Sequence, residues 1–80
     1  MSRAGDVVLV VARTLAGRPD AVKVTESERR GQVIVELSMA PGELGRIIGR
    51  QGRTAAAVRA LAAAAGELEG QRVVVDFRDE

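Results

Sequence analysis

Ile47-Ile48-Gly49-Arg50-Gln51-Gly52-Arg53 carries the densest information in this chain of 80 residues. Two apolar residues run into a glycine, a polar pair follows, a second glycine closes the group, and arginines stand at 46, 50 and 53. The spacing alone says little, because nine glycines in 80 residues produce about one G-x-x-G pair by chance. Indeed a further pair occurs at Gly42–Gly45. A dinucleotide fingerprint would need glycines at 47, 49 and 52, and a phosphate loop would need a glycine five residues before Gly52-Arg53-Thr54. Position 47 is Ile in both cases, so both nucleotide loops are excluded.

Context gives the second pair its weight. Residues without side chains let another backbone come close. The N-terminus of a following helix offers free N–H groups and a positive dipole end, which suit a phosphodiester. The same residues also fit a plain corner between two helices whose glycines serve tight packing. The residues alone leave both readings open.

Outward from this loop, the pattern of apolar residues predicts the neighbouring elements. Pro41 opens a short helix carrying Leu44, Ile47 and Ile48, which Gly49 ends. A second helix is expected from about Arg53 to Ala65, with Val58, Leu61 and Ala65 on one face and Gly66 as its stop. Alanines at 55–57, 60 and 62–65 make it stable and slim. A last strand spans Arg72 to Arg78, with Val73, Val75 and Phe77 on one face. Upstream, apolar and polar residues alternate over 21–27 and 32–40, around a turn at Glu28-Arg29-Arg30-Gly31. The run Val7–Val11 has strand propensity, but Gly5-Asp6 ahead of it and Gly17 and Pro19 behind it predict a helix from about Arg3 to Ala16. Its apolar residues exceed what one core face needs, so part of it is expected to meet a partner.

Composition narrows the function. Hydrophobic residues make up 46% and charged residues 29%, the balance of a globular chain. There is no cysteine and no histidine, so disulfides, thiol chemistry and a Cys/His metal centre are excluded. Serine and threonine hydroxyls have no histidine to activate them; neither an enzyme nor a cofactor is expected. Without a basic-then-apolar leader or an apolar run of about 18 residues, the chain reads as soluble and cytoplasmic, with no membrane insertion. The net charge of +1 divides unevenly: +1 over residues 1–42, +3 over 43–59 and −3 over 60–80. Arg46, Arg50, Arg53 and Arg59 suit either bidentate phosphate contact or a solvated helix face.

Together, Ile47 to Arg53 resembles the signature of the KH (K-homology) RNA-binding domain. The order helix-strand-strand-helix-helix-strand is similar to its bacterial, type II arrangement over nearly the whole chain, including the approach Pro41–Ile48 and the strand Arg72-Val73-Val74-Val75. The resemblance implies a single α+β domain over 1–80, with a three-stranded mixed sheet packed on three helices. The 32–40 strand would be central, with 21–27 antiparallel and 72–78 parallel to it. It also implies a groove for about four nucleotides of single-stranded RNA. Gly49, Arg50, Gln51 and Gly52 would clamp the sugar–phosphate chain, and Arg46, Arg50 and Arg53 would pair with phosphates. Leu44, Ile48, Ala55 and Ala56 would form an apolar wall, with Val74 or Val75 opposite; Leu44 and Val58 fit the core equally well.

With Phe77 as the only aromatic, stacking of bases on exposed rings is not expected, so binding should be weak, salt-sensitive and sequence-tolerant. The acidic loop Gly66-Glu67-Leu68-Glu69-Gly70 lacks a basic grip. The chain is similar to small stand-alone bacterial KH proteins of the KhpA type. That likeness implies self-association, or pairing with a larger KhpB (Jag) protein carrying KH and R3H domains, in complexes linked to RNA chaperoning, cell elongation and envelope control. For such an interface the alanine-rich helix supplies Val58, Leu61, Ala62 and Ala65, unless its alanines pack against the sheet. Two rival readings are a dimerisation scaffold that leaves RNA to its partner, and a binder of single-stranded DNA.

Overall fold

A computed structural model describes residues 1–79; Glu80, counted above among the C-terminal acids, lies outside them. The first helix, α1, spans Arg3–Leu15. Its start signal is Ser2, not Gly5-Asp6: the Ser2 hydroxyl accepts the Gly5 N–H at 3.1 Å. Ala16 is already extended and caps the end. Ala4, Val8 and Ala12, four residues apart, are fully buried, whereas Val10 is 63% exposed. That helical period against the helix at 53–68 and the sheet overrides the strand propensity of the valines.

A short 3₁₀ turn, Pro19–Ala21, occupies the place expected for the start of the first strand. The strand β1 therefore runs Lys23–Arg29, two residues later than the alternation suggested, and β2 runs Gln32–Met39. Arg30 (φ 53°) and Gly31 (φ 77°) alone form the turn, a two-residue connection whose twist matches the strands. With β3 (Arg72–Asp79) the sheet has the order β1-β2-β3. Central β2 lies antiparallel to β1 and parallel to β3, pairing Val35 with Glu26 on one side and Val75 on the other. This is the mixed sheet and α-β-β-α-α-β order that the resemblance implies.

Two helix ends depart from expectation. The helix α2 (Leu44–Ile48) begins three residues after Pro41, because Gly42 at φ 83° turns the chain first. The helix α3 (Arg53–Leu68) runs past Gly66 instead of stopping there. Gly66 is a close-approach residue: a Cβ on it would meet the Val73 side chain and lie 3.0 Å from the Gln71 carbonyl oxygen. Gly70, at φ 67°, makes the turn into β3.

The core lies between the helices and one face of the sheet. Val33, Val35, Leu37 and Met39 project from β2 into it, joined by Val75, Ile47, Val58, Ala62 and Ala65. Among the described residues no polar or charged side chain is buried. The inward residues of α3 are Ala55, Val58, Ala62, Ala65 and Gly66, so Leu61, expected on that face, instead points out at 52% exposure.

One carboxylate ties α1 to the start of α2. Glu43 accepts the backbone N–H groups of Gly17 at 2.7 Å and Arg18 at 2.9 Å, and pairs with Arg46 at 3.3 Å. Its side chain is only 12% exposed. Glu43→Ala should lower stability by about 2 kcal/mol, since two amides lose a charged acceptor. Chemical denaturation of the two proteins measures this, and an unchanged midpoint would show the tie to be idle.

Candidate nucleic-acid interface

The loop between α2 and α3 has a backbone that its sequence alone permits. Gly49 sits at φ 74°, ψ 179°, a region open essentially to glycine only. A Cβ there would lie 2.8 Å from Thr54 Cβ and 3.2 Å from the Thr54 amide nitrogen. Gln51 (φ 59°, ψ 24°) and Gly52 (φ 71°, ψ 13°) are both left-handed. A Cβ added to Gly52, unlike one on Gly49, would meet nothing within 4 Å. One glycine therefore closes the corner on α3, and the other leaves open space beside the backbone. The packing use left open in the sequence is present at Gly49, and Gly52 is free of that constraint.

The electrostatics of the loop favour an anion. Arg50, Gln51 and Arg53 are all exposed. The Arg53 guanidinium donates to Gln51 Oε1 at 3.0 Å, so the two side chains lie together over the turn. No acidic residue stands in the first turn of α3, which leaves the positive end of its dipole uncompensated. Ile48, 36% exposed, and the partly exposed Leu44 precede the loop; Ala56 is exposed just beyond it, and Ala55 is buried at 4%.

Three predicted site residues do not join this group. Arg46 is turned to Glu43 and lies beside Gly17 at the end of α1, so its charge is partly answered. Val74, 40% exposed, stands on the sheet face away from the helices, in register with Ile34. The helix-facing residues of β3 are Val73, Val75 and Phe77; strand alternation puts Val74 on the opposite side. Of the wall pair proposed on β3, only Val75 faces the helices, and it is 5% exposed.

The four interface candidates separate in the same way. Val58, Ala62 and Ala65 are buried inside the protein, at 1%, 0% and 8% exposure, so the small residues at these positions serve internal packing. Leu61 is outside. It belongs to a stripe not apparent from composition: Ala57, Leu61, Ala64 and Leu68 recur at spacings of four, three and four and are all exposed.

A depression of about 450 Å³ lies at the opposite end of α3, lined by Ser2, Glu26, Glu28, Glu69 and Gln71 among others. Ser2 donates both its amide and its hydroxyl to Glu26, and the remaining carboxylates make this end unsuited to a polyanion. Among the described residues no cluster fits a metal ion, and no helix is long and apolar enough to cross a membrane.

Comparison with known proteins bears on the same residues. The family described as "KhpA/KhpB, KH domain" matches residues 5–77. A protein of Caldanaerobacter subterraneus subsp. tengcongensis named RNA-binding protein KhpA is 43% identical over 73 residues, covering 91% of this chain and 97% of the relative. A protein of the same name from Aquifex aeolicus is 43% identical over 77 residues, covering 96% and 98%. A third, from Leifsonia xyli subsp. xyli, is 44% identical over 71 residues, covering 88% and 90%.

Proposed function

The chain belongs to the KhpA/KhpB KH-domain family, and from that premise we propose that it binds single-stranded RNA by its backbone at the Gly49–Gly52 loop. The observation that carries this reading is the geometry of that loop. Gly52 leaves unfilled space beside a left-handed backbone, and exposed Arg50 and Arg53 stand at an uncompensated helix N-terminus. Two phosphate contacts on a single strand give a salt slope of about −1.4, the signature of a weak electrostatic grip. Ile48 and Ala56 supply apolar surface beside the clamp. The protein works as a single KH unit and needs neither cofactor nor small-molecule substrate.

A grip of this strength gains from a second site, since two linked grooves raise avidity without any new contact. The exposed stripe Ala57-Leu61-Ala64-Leu68 supports pairing through α3, with a second copy or with a KhpB-type partner. The name shared by the relatives favours an RNA-binding subunit over a pure scaffold. Within such a complex the protein acts as a cytoplasmic RNA chaperone and post-transcriptional regulator, with cell elongation and envelope homeostasis as the processes affected.

Arg50→Asp with Gln51→Asp tests the clamp. Both side chains are exposed, and aspartate tolerates the left-handed backbone at position 51, so folding should be unchanged. Affinity for a short single-stranded RNA should fall at least about tenfold, since one phosphate contact is lost and two negative charges are added. Equal binding by the double variant in fluorescence anisotropy, or equal RNA recovery after crosslinking in cells, would favour the scaffold. Matched RNA and DNA oligomers in the same assay decide whether a 2′-hydroxyl is sensed.

A further inference from the structure

Phe77 is the only aromatic residue of the chain, and sequence alone does not say what its ring meets. In the structure the ring is half-buried on the helix-facing side of β3, and the Arg59 guanidinium lies over it, with Cζ 4.7 Å from the ring centroid. Arg59 is exposed, and among the described residues no carboxylate pairs with it. It occupies the flank of α3 that looks toward β3, one turn beyond Ala55 and Ala56. Ala63, one turn further on the same flank, borders a depression shared with Arg72 and Val73. Six residues of helix separate Arg59 from Arg53, about 9 Å along the axis.

A guanidinium is planar, and the centre of this one lies 4.7 Å from the ring centroid, within stacking reach of the ring. Arg59 is exposed to solvent, and a guanidinium plane stacks on nucleobases as it does on aromatic rings. The ring also holds the plane in place, which reduces the ordering cost that a long, free arginine would meet on binding.

We propose that Arg59, oriented from beneath by Phe77, is a base-stacking platform: a base of single-stranded RNA rests on the outer face of the guanidinium while Arg50 and Arg53 hold the phosphates. The inference rests on the clamp reading above and deepens it. It also revises the expectation that stacking is absent. The stacking partner is an arginine, and the lone phenylalanine is its support.

The test compares a short single-stranded RNA with an oligomer of equal length whose internal positions are abasic, over a range of salt concentrations. Arg59→Lys keeps the charge and removes the plane. It should bind the base-bearing RNA about tenfold more weakly than the unaltered protein does, and the abasic oligomer equally well, with the same salt slope. Phe77→Leu, with folding checked by circular dichroism, should show the same base-dependent loss to a smaller degree. If Arg59→Lys binds both oligomers as the unaltered protein does, or loses affinity for both equally, Arg59 is a point charge and the platform is overturned. The Arg50→Asp/Gln51→Asp variant separates the two readings. If it alone binds normally, the clamp fails while the base-dependent difference at Arg59 still stands on its own.

Discussion

Gly49→Ala is expected to cost about 3 kcal/mol of folding stability. Two separate penalties combine. The backbone at φ 74°, ψ 179° excludes any residue with a side chain, and the added methyl would lie 2.8 Å from Thr54 Cβ. A chain of this length holds about 4–12 kcal/mol in total, so the loss is a large fraction of it. The melting temperature should fall by roughly 15 °C, and the urea midpoint should drop with an unchanged slope. Gly52→Ala provides the contrast. It meets only the left-handed backbone penalty, about 1–2 kcal/mol, because nothing lies within 4 Å of its new methyl. On the proposed clamp its larger effect should be on RNA affinity, since the methyl would stand where the RNA backbone is proposed to approach. Equal stability losses at the two positions would mean that the corner at Thr54 is looser than its geometry.

Ala62→Asp should abolish cooperative folding, while Leu61→Asp leaves it intact. The two neighbours point in different directions. Ala62 is fully buried against the core, and an unpaired carboxylate there costs about 5 kcal/mol or more, comparable with the whole stability of the fold. Leu61 is 52% exposed, and a charge there should change monomer stability by less than about 0.5 kcal/mol. Circular dichroism measures the first effect. Sedimentation measures the second: Leu61→Asp should be monomeric if the α3 stripe joins two copies. Unchanged association of that variant would move the interface to the valine-rich α1, where Val10 is exposed.

The contrast between these neighbours also marks where sequence reasoning stopped. Alternation along 32–39 and 73–77 identified the inner faces of β2 and β3, because a two-residue period leaves little freedom of register. The glycine loop was legible only through its context and its resemblance to a family signature, because a G-x-x-G spacing is common in a chain with nine glycines. In α3 the signal failed. Eight alanines from 55 to 65 blur the apolar face, and Leu61, the largest residue among them, suggested the wrong side. Gly66 misled in the same way. Glycine next to a helix end usually marks a stop, yet here it admits Val73, and only the packing of β3 against α3 distinguishes the two uses.

What the amino-acid order determined by itself was local: the helical and strand periods, the hairpin glycine, the loop at 49–52, and the absence of histidine and cysteine. These follow from backbone sterics and side-chain chemistry within a few residues. Only the tertiary structure decided what each arginine meets. Arg46 turns to Glu43 and the end of α1, Arg53 donates to Gln51 over the turn, Arg50 is exposed, and Arg59 lies over Phe77, near the end of the chain. The reason is physical. An arginine can reach an anion, a carboxylate or a ring equally well, and which of them lies within reach depends on contacts between residues distant in sequence.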